Sequence, residues 1–243
     1  MRRGRTQEEG RLHARPAEVT QPGPTGLRSL GVDPERDSYL YVPEGYRPER
    51  PAPLVLLLHG AGGHARHGLS VLVDVAEEHG LMLLAPASRG SRWDVIAGGY
   101  GPDVAMIDRA LTSVFERYAV DAELLAIGGF SDGASYALSL GITNGDLFTH
   151  ILAFSPGFTA PGARRGAPSI FISHGTRDSV LPIDRCSRRI VPQLERAGYD
   201  VSYHEFDGGH TVPAKVARKA VEWLIATPRH SHGRVAGGRG LPT

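Results

Sequence analysis

The sequence predicts an α/β fold, one mostly parallel sheet with helices on both faces. Three observations carry this. Unbroken apolar runs recur at residues 54–58 (LVLLL), 81–85 (LMLLA), 124–128 (LLAIG), 151–154 (ILAF) and 170–173 (IFIS), the pattern of strands buried on both faces. Segments with helical periodicity lie between them, and alternation of the two kinds gives a layered α/β domain. The length of 243 residues fits one such domain.

Each element has its own local reason. Residues 1–26 are polar and rich in Pro and Gly, so they read as a disordered arm with Leu12 as a local docking point. Tyr39, Leu40, Tyr41 and Val42 form a short strand ended by Pro43. Leu69, Leu72, Val73, Val75 and Ala76 share one helical face before Gly80. Asp103 is placed to cap a helix carrying Val104, Ile107, Leu111, Val114 and Phe115. Residues 132–140 form a helix of small side chains. Asp184 is placed to cap a helix that stops at Gly198, with a kink at Pro192. Residues 201–206 (VSYHEF) alternate as an edge strand does, and 214–225 close the core. The folded domain is thus expected over 27–226, with a disordered tail over 227–243. His230 and His232 lie in that tail and read as solvated.

Composition narrows the function. The net charge is +1, which offers no electrostatic footprint for nucleic acid or an anionic membrane. Glu8 and Glu9 interrupt the basic start of the chain. No apolar run approaches the roughly 18 residues that a membrane helix needs, so no stable membrane association is expected. The basic start is not followed by an apolar stretch, and the single Cys186 cannot form an intrachain disulfide. A cytoplasmic enzyme is the expectation.

The chemistry is concentrated in four short motifs, each following a predicted strand. Gly129-Phe130-Ser131-Asp132-Gly133 matches G-x-S-x-G. Such a turn between strand and helix lifts the serine hydroxyl clear of the backbone, and its glycines let the turn close. His59-Gly60-Ala61-Gly62-Gly63 is a glycine-rich turn whose N–H groups can face a cavity. The N–H groups of Ala61 and Asp132 are the expected oxyanion donors, with Gly62 as substitute for Ala61. The turn is no phosphate cradle, because no Lys-Ser/Thr pair follows it. His59, His64 and His67 lack a carboxylate or cysteine at matching spacing, so no metal is expected. Asp178, in HGTRD, is the candidate acid, with Asp184 as runner-up. His210, in DGGH, is the candidate base, ahead of His204 within the strand. The order Ser131, Asp178, His210 suits a nucleophile, an orienting acid and a base converging at one sheet edge. No cofactor is expected.

The motifs HGAGG, GFSDG, HGTRDSVLP and GGH resemble the phospholipase/carboxylesterase group of the α/β-hydrolases, which includes the acyl-protein thioesterases. The resemblance spans roughly Leu30 to Ile225. It implies an α/β-hydrolase fold, hydrolysis of carboxylic esters and an acyl-enzyme intermediate. The thioesterases carry Gln and then Gly-Gly after the nucleophile, where this chain has Asp132-Gly133-Ala134, so plain carboxylesterase is the transfer made. Dienelactone hydrolases share the fold but use cysteine, and Ser131 argues against them.

Only SPGFTAPGARRGAP separates Phe154 from Ser169, too short for a helical cap. An open site taking a small-molecule ester with a short or medium acyl chain is therefore expected. The longest internal loop, 86–101, would lie beside the site. It offers Trp93 and Tyr100 as pocket walls, with Phe158 and Leu181 from other loops; for Trp93 a packing anchor is an equal reading. A peptidase, amidase or acyl thioesterase on the same triad, and a non-catalytic binding protein on the same scaffold, are the competing functions.

Overall fold

The computed structural model describes residues 9–19 and 21–227. Eight strands form one sheet: β1 (Gly26–Ser29), β2 (Tyr39–Val42), β3 (Ala52–Leu58), β4 (Met82–Ala85), β5 (Val120–Phe130), β6 (His150–Phe154), β7 (Ser169–Gly175) and β8 (Val201–Phe206). Their order is β1-β2-β4-β3-β5-β6-β7-β8. β1 and β2 pair antiparallel, as do β2 and β4, and every pairing from β4 to β8 is parallel. The helices are α1 (Ala65–Leu69), α2 (Val73–Ala76), α3 (Pro102–Phe115), α4 (Asp132–Thr143), α5 (Ser187–Arg196) and α6 (Ala214–Ala226). This is the α/β-hydrolase fold, with no large insertion between β6 and β7.

Period-two alternation divides the apolar runs between two cores. Leu54, Leu56, Leu58, Leu125, Ile127, Ile170 and Ile172 face α3, α4 and α5. Val55, Leu57, Ala126, Leu152 and Phe171 face α1, α2 and α6. Both sides of the sheet are thereby covered, which is why the central strands could be written as continuous apolar runs.

Several elements differ from expectation. β1 carries the sequence GLRS and no apolar run; edge pairing with β2 makes it a strand. The face from Leu69 to Ala76 is broken into two short helices, α1 and α2. Asp103 is the second residue of α3 rather than its cap, and its buried carboxylate accepts the N–H groups of Arg89 and Asp94. Asp184 lies in a 3-10 turn ahead of α5 and pairs with Arg188 at 2.8 Å.

The segment read as a disordered arm is seated on the domain over residues 10–15. Leu12 is fully buried and its N–H donates to Asn144 Oδ1. Arg11 bonds the Thr143 carbonyl and both carboxylate oxygens of Asp146, and Arg15 also reaches Asp146. The N–H groups of His13 and Ala14 converge on Asp108. The strap therefore ties α3 to the C-terminal end of α4. His230 and His232 lie outside the described residues.

Candidate active site

The strand order reverses direction at β3 and β5, since β4 lies on one side of β3 and β5 on the other. Crevices at the C-terminal ends of strands form at such a switch point. Here it brings the turn after β3 beside the end of β5.

Ser131 connects β5 to α4 with φ 58° and ψ −121°. A non-glycine residue in that region is strained by about 1–3 kcal/mol, and close packing holds it there. A Cβ on Gly129 would stand 2.5 Å from the backbone of Gly133, and a Cβ on Gly133 would stand 2.1 Å from the Leu58 carbonyl oxygen. The two glycines therefore let α4 press directly on the end of β3.

The loops after β7 and β8 complete the site. His210 Nε2 lies 2.9 Å from Ser131 Oγ, and His210 Nδ1 lies 2.6 Å from Asp178 Oδ2. The other carboxylate oxygen of Asp178 accepts the N–H groups of Val180 and Leu181. Burial opposes the charge on Asp178, but the Leu181 N–H, the His210 ring and the Val180 N–H outweigh it. They hold the acid below the ordinary carboxylate range. Asp178 is thus set to remain ionised and to orient the imidazole. Asp184 is 77% exposed on its side chain and takes no part in this geometry. His204 bonds Ser202 on β8 and lies tilted against Phe171, apart from the site.

A second Ser–His–Asp contact set shares Asp178. Ser187 Oγ lies 2.7 Å from His174 Nδ1, and His174 Nε2 lies 3.3 Å from Asp178 Oδ2. Ser187 and His174 are both fully buried, so no substrate reaches that hydroxyl. Ser131 retains a solvent-facing edge.

The oxyanion turn is fixed by a chain of buried bonds. The Trp93 indole N–H donates to the His59 carbonyl, and Ser88 N–H donates to His59 Nε2. An acceptor at Nε2 places the ring proton on Nδ1, which donates to the Gly60 carbonyl at 2.7 Å. Gly62 N–H donates to the Ser91 carbonyl at 2.7 Å. That bond corrects the expectation for Gly62, whose donor is already used. The N–H groups of Ala61 and Asp132 donate to no described residue, which leaves this pair available for an oxyanion.

Burial drives His59 down to about 4, so the ring is neutral at neutral pH. The unfolded chain accepts this proton near pH 6.5 while the fold refuses it, so stability falls as pH drops from about 6.5 to about 4. Buried His174 and half-buried His204 are lowered in the same direction, again chiefly by desolvation. Thermal unfolding followed across this window is expected to lose midpoint with acid, and His59→Gln to flatten the slope. A slope unchanged in that variant excludes His59 as a contributor.

The pocket walls need correction. Trp93 is fully buried, stacked on Tyr136 at 5.2 Å and tilted against His59 at 4.8 Å. It is a packing anchor for loop 86–101, with no face free for substrate. The same loop is closed by two carboxylates: that of Asp94 accepts Gly101 N–H, Asp103 N–H and the Tyr136 hydroxyl, and that of Asp103 accepts Arg89 N–H and Asp94 N–H. Tyr100 places its hydroxyl on Thr143 and the Ala160 carbonyl. Thr143 ends α4, a twelve-residue helix that begins beside Ser131, so this hydroxyl stands roughly 18 Å along the helix from the nucleophile. Phe158 and Leu181 are half-buried. Leu181 reaches within contact of Gly157, beside Ser135 one turn into α4, and the Phe158 N–H lies 3.4 Å from Ser135 Oγ.

Two contacts were not anticipated. The Phe130 ring lies 4.6 Å from the His210 ring; its place inside the G-x-S-x-G motif was the available signal. Arg92 Nε lies 2.9 Å from Asp132 Oδ2, a pairing between loop 86–101 and the first residue of α4 that no local pattern announces.

The wall after β6 is held by a ladder of hydroxyls on α4. Ser135, Ser139 and Thr143, spaced by four, each donate to the carbonyl four residues earlier. Their oxygens accept the N–H groups of Gly157, Ala160 and Gly162 respectively. The segment where a lid would be inserted is thereby fastened along one face of the nucleophile helix.

Known proteins share this arrangement of elements. The chain is similar to the crystal structure of esterase PE8, with TM-score 0.62 and 23% identity over 76% of this chain and 96% of that one. It is also similar to a truncated carbohydrate esterase from gut microbiota, with TM-score 0.68 and 15% identity over 86% of this chain and 98% of that one. At those identities the likeness is one of fold. Among curated sequences it is 27% identical to the feruloyl esterase C of Emericella nidulans over 157 residues, 61% of this chain and 57% of that protein. A probable feruloyl esterase C of Aspergillus flavus is 27% identical over 169 residues, 66% of this chain and 62% of that protein. The chain thus spans under two thirds of the length of these curated relatives. The model of the Phospholipase/Carboxylesterase family matches residues 104–227, just over half of the 243-residue chain, and takes in Ser131, Asp178 and His210. On that match the chain belongs to the phospholipase/carboxylesterase family of α/β-hydrolases.

Proposed function

We propose that the protein is a serine esterase that hydrolyses small carboxylic esters. The observation that carries the reading is the single imidazole of His210, bonded to Ser131 on one nitrogen and Asp178 on the other. Ser131 Oγ attacks the acyl carbon as His210 Nε2 takes its proton. The N–H groups of Ala61 and Asp132 hold the oxyanion, and the proton on His210 passes to the leaving alcohol. Water, deprotonated by His210, then attacks the acyl carbon, and His210 returns the proton to Ser131 Oγ as the acyl group departs as the acid. The curated relatives named as esterases of feruloyl groups and of acetylxylan support small acyl groups as the substrate class. A cytoplasmic location is part of the proposal, because the fold needs no disulfide.

The fastened, uncapped wall after β6 supports short or medium acyl chains. Each buried acyl CH₂ contributes about 0.8 kcal/mol, so kcat/KM is expected to climb over the first few carbons and then level off. A panel of nitrophenyl esters of increasing chain length, with fluorophosphonate labelling of Ser131 as the control, measures this. A rate that jumps at the micelle threshold, with preference for long-chain triglycerides, would contradict an open site.

A further inference from the structure

The buried set formed by Ser187 and His174 lies beside the site and is not used by the steps above. His174 Nε2 stands 2.8 Å from the Leu181 carbonyl, an acceptor only, so the proton resides on Nε2. Nδ1 then accepts from the Ser187 hydroxyl at 2.7 Å. The tautomer is therefore fixed from both ends. The same Nε2–H lies 3.3 Å from Asp178 Oδ2, the oxygen that takes His210 Nδ1. The turn from Asp178 to Leu181 is thus held twice. Its N–H groups return to Asp178 Oδ1, and its last carbonyl and its first carboxylate share one imidazole.

We infer that His174, locked by Ser187, is a positioning residue: it holds the Asp178 carboxylate in the orientation that His210 requires. It acts through Asp178 and touches no reacting atom, and the inference rests on the proposed role of His210 as base. A neutral donor suits this task. A cation in its place would compensate the charge that Asp178 presents to the imidazolium formed in the reaction, and burial lowers His174 so that its ring stays uncharged. The other titratable groups that face this pair are the Cys186 thiol at the start of α5 and Glu205 on β8. Burial raises Cys186, and Arg188 lowers Glu205 and pairs with it.

The test uses the whole chain and nitrophenyl butyrate. Asn at 174 still reaches Ser187 from the Nδ1 position but ends short of Asp178, whereas Gln carries an N–H towards the Nε2 position. His174→Asn is expected to lower kcat by about ten- to a hundredfold with KM nearly unchanged. The acid limb of its kcat/KM profile moves to higher pH, because a carboxylate with one donor fewer favours the protonated base more strongly. His174→Gln is expected to restore most of kcat and the position of that limb. Where Asp178 is already alanine, His174→Asn should cost about threefold or less, because the residue it serves is gone. Ser187→Ala should move kcat and the limb in the same directions by a smaller amount, and it decides the matter if His174→Asn does not fold. A folded His174→Asn with unmoved kcat and limb overturns the inference, as does an equal loss with and without the Asp178 carboxylate. Failure of the wild type to hydrolyse ester or to label with fluorophosphonate would instead defeat the esterase reading.

Discussion

Replacing Ser131 by alanine is expected to lower ester turnover by about 10⁵- to 10⁶-fold, and His210→Ala to lower it to the same floor. The double variant should be little worse than either, because a nucleophile without its base and a base without its nucleophile fail in the same step. Asp178→Asn should leave more activity, at a loss of about 10⁴-fold, since the amide leaves the imidazole in place but favours the wrong tautomer. Ser187→Ala separates the two Ser–His–Asp contact sets, because its loss should stay within about a hundredfold. Single-turnover kinetics on a nitrophenyl ester measure all of these. Additive losses in the double variant, or an inactive Asp184→Asn beside a nearly normal Asp178→Asn, would refute the assignments.

Gly133→Ala is expected to produce the largest structural effect. Its added methyl would stand 2.1 Å from the Leu58 oxygen, 2.5 Å from the Leu58 carbonyl carbon and 2.6 Å from the His59 oxygen. All three are backbone atoms of β3 and the turn that follows, so no side chain can rotate out of the way. α4 must instead move off the sheet, and Asp132 N–H moves with it, away from Ala61. A loss of about 3 kcal/mol or more is expected in denaturant unfolding, with hydrolysis lost even where folding survives. Gly45→Ala, where nothing lies within 4 Å of the new methyl, should change stability by about 0.5 kcal/mol or less. Equal effects at the two positions would show that the contact between α4 and β3 is not tight.

What the sequence disclosed follows from how local each signal is. The central strands were legible because burial on both faces writes itself into consecutive residues, as in LVLLL at 54–58. Ser131, Asp178 and His210 were legible because each stands just past a strand, so the parallel order of β5, β7 and β8 sends all three to one edge. The oxyanion turn was legible as a glycine cluster with Ala61 N–H as first choice, but the substitute Gly62 could not be set aside from sequence. That choice depends on Ser91 accepting from Gly62, a contact between two loops. Trp93 could be wall or anchor by its type alone, and its stacking on Tyr136 from a different element decides for anchor. Residues 10–15 looked like an arm because their composition is polar. Their anchors, Asp108, Asn144 and Asp146, belong to α3 and to the end of α4. β1 has no apolar signature because it lies at the outer edge of the sheet.

The ladder of Ser135, Ser139 and Thr143 has a consequence for the fate of the acyl group once it is attached to Ser131. The bonds of Gly157, Ala160 and Gly162 to that ladder fasten the wall without a cap, so on the proposed esterase reading bulk solvent is expected to reach the acyl-enzyme. Water at its full concentration then competes with every other alcohol or amine present. The partition runs towards hydrolysis, and transfer to a second acceptor grows only in proportion to the acceptor added. On the proposed reading, three hydroxyls on one helix face thus favour hydrolysis over acyl transfer.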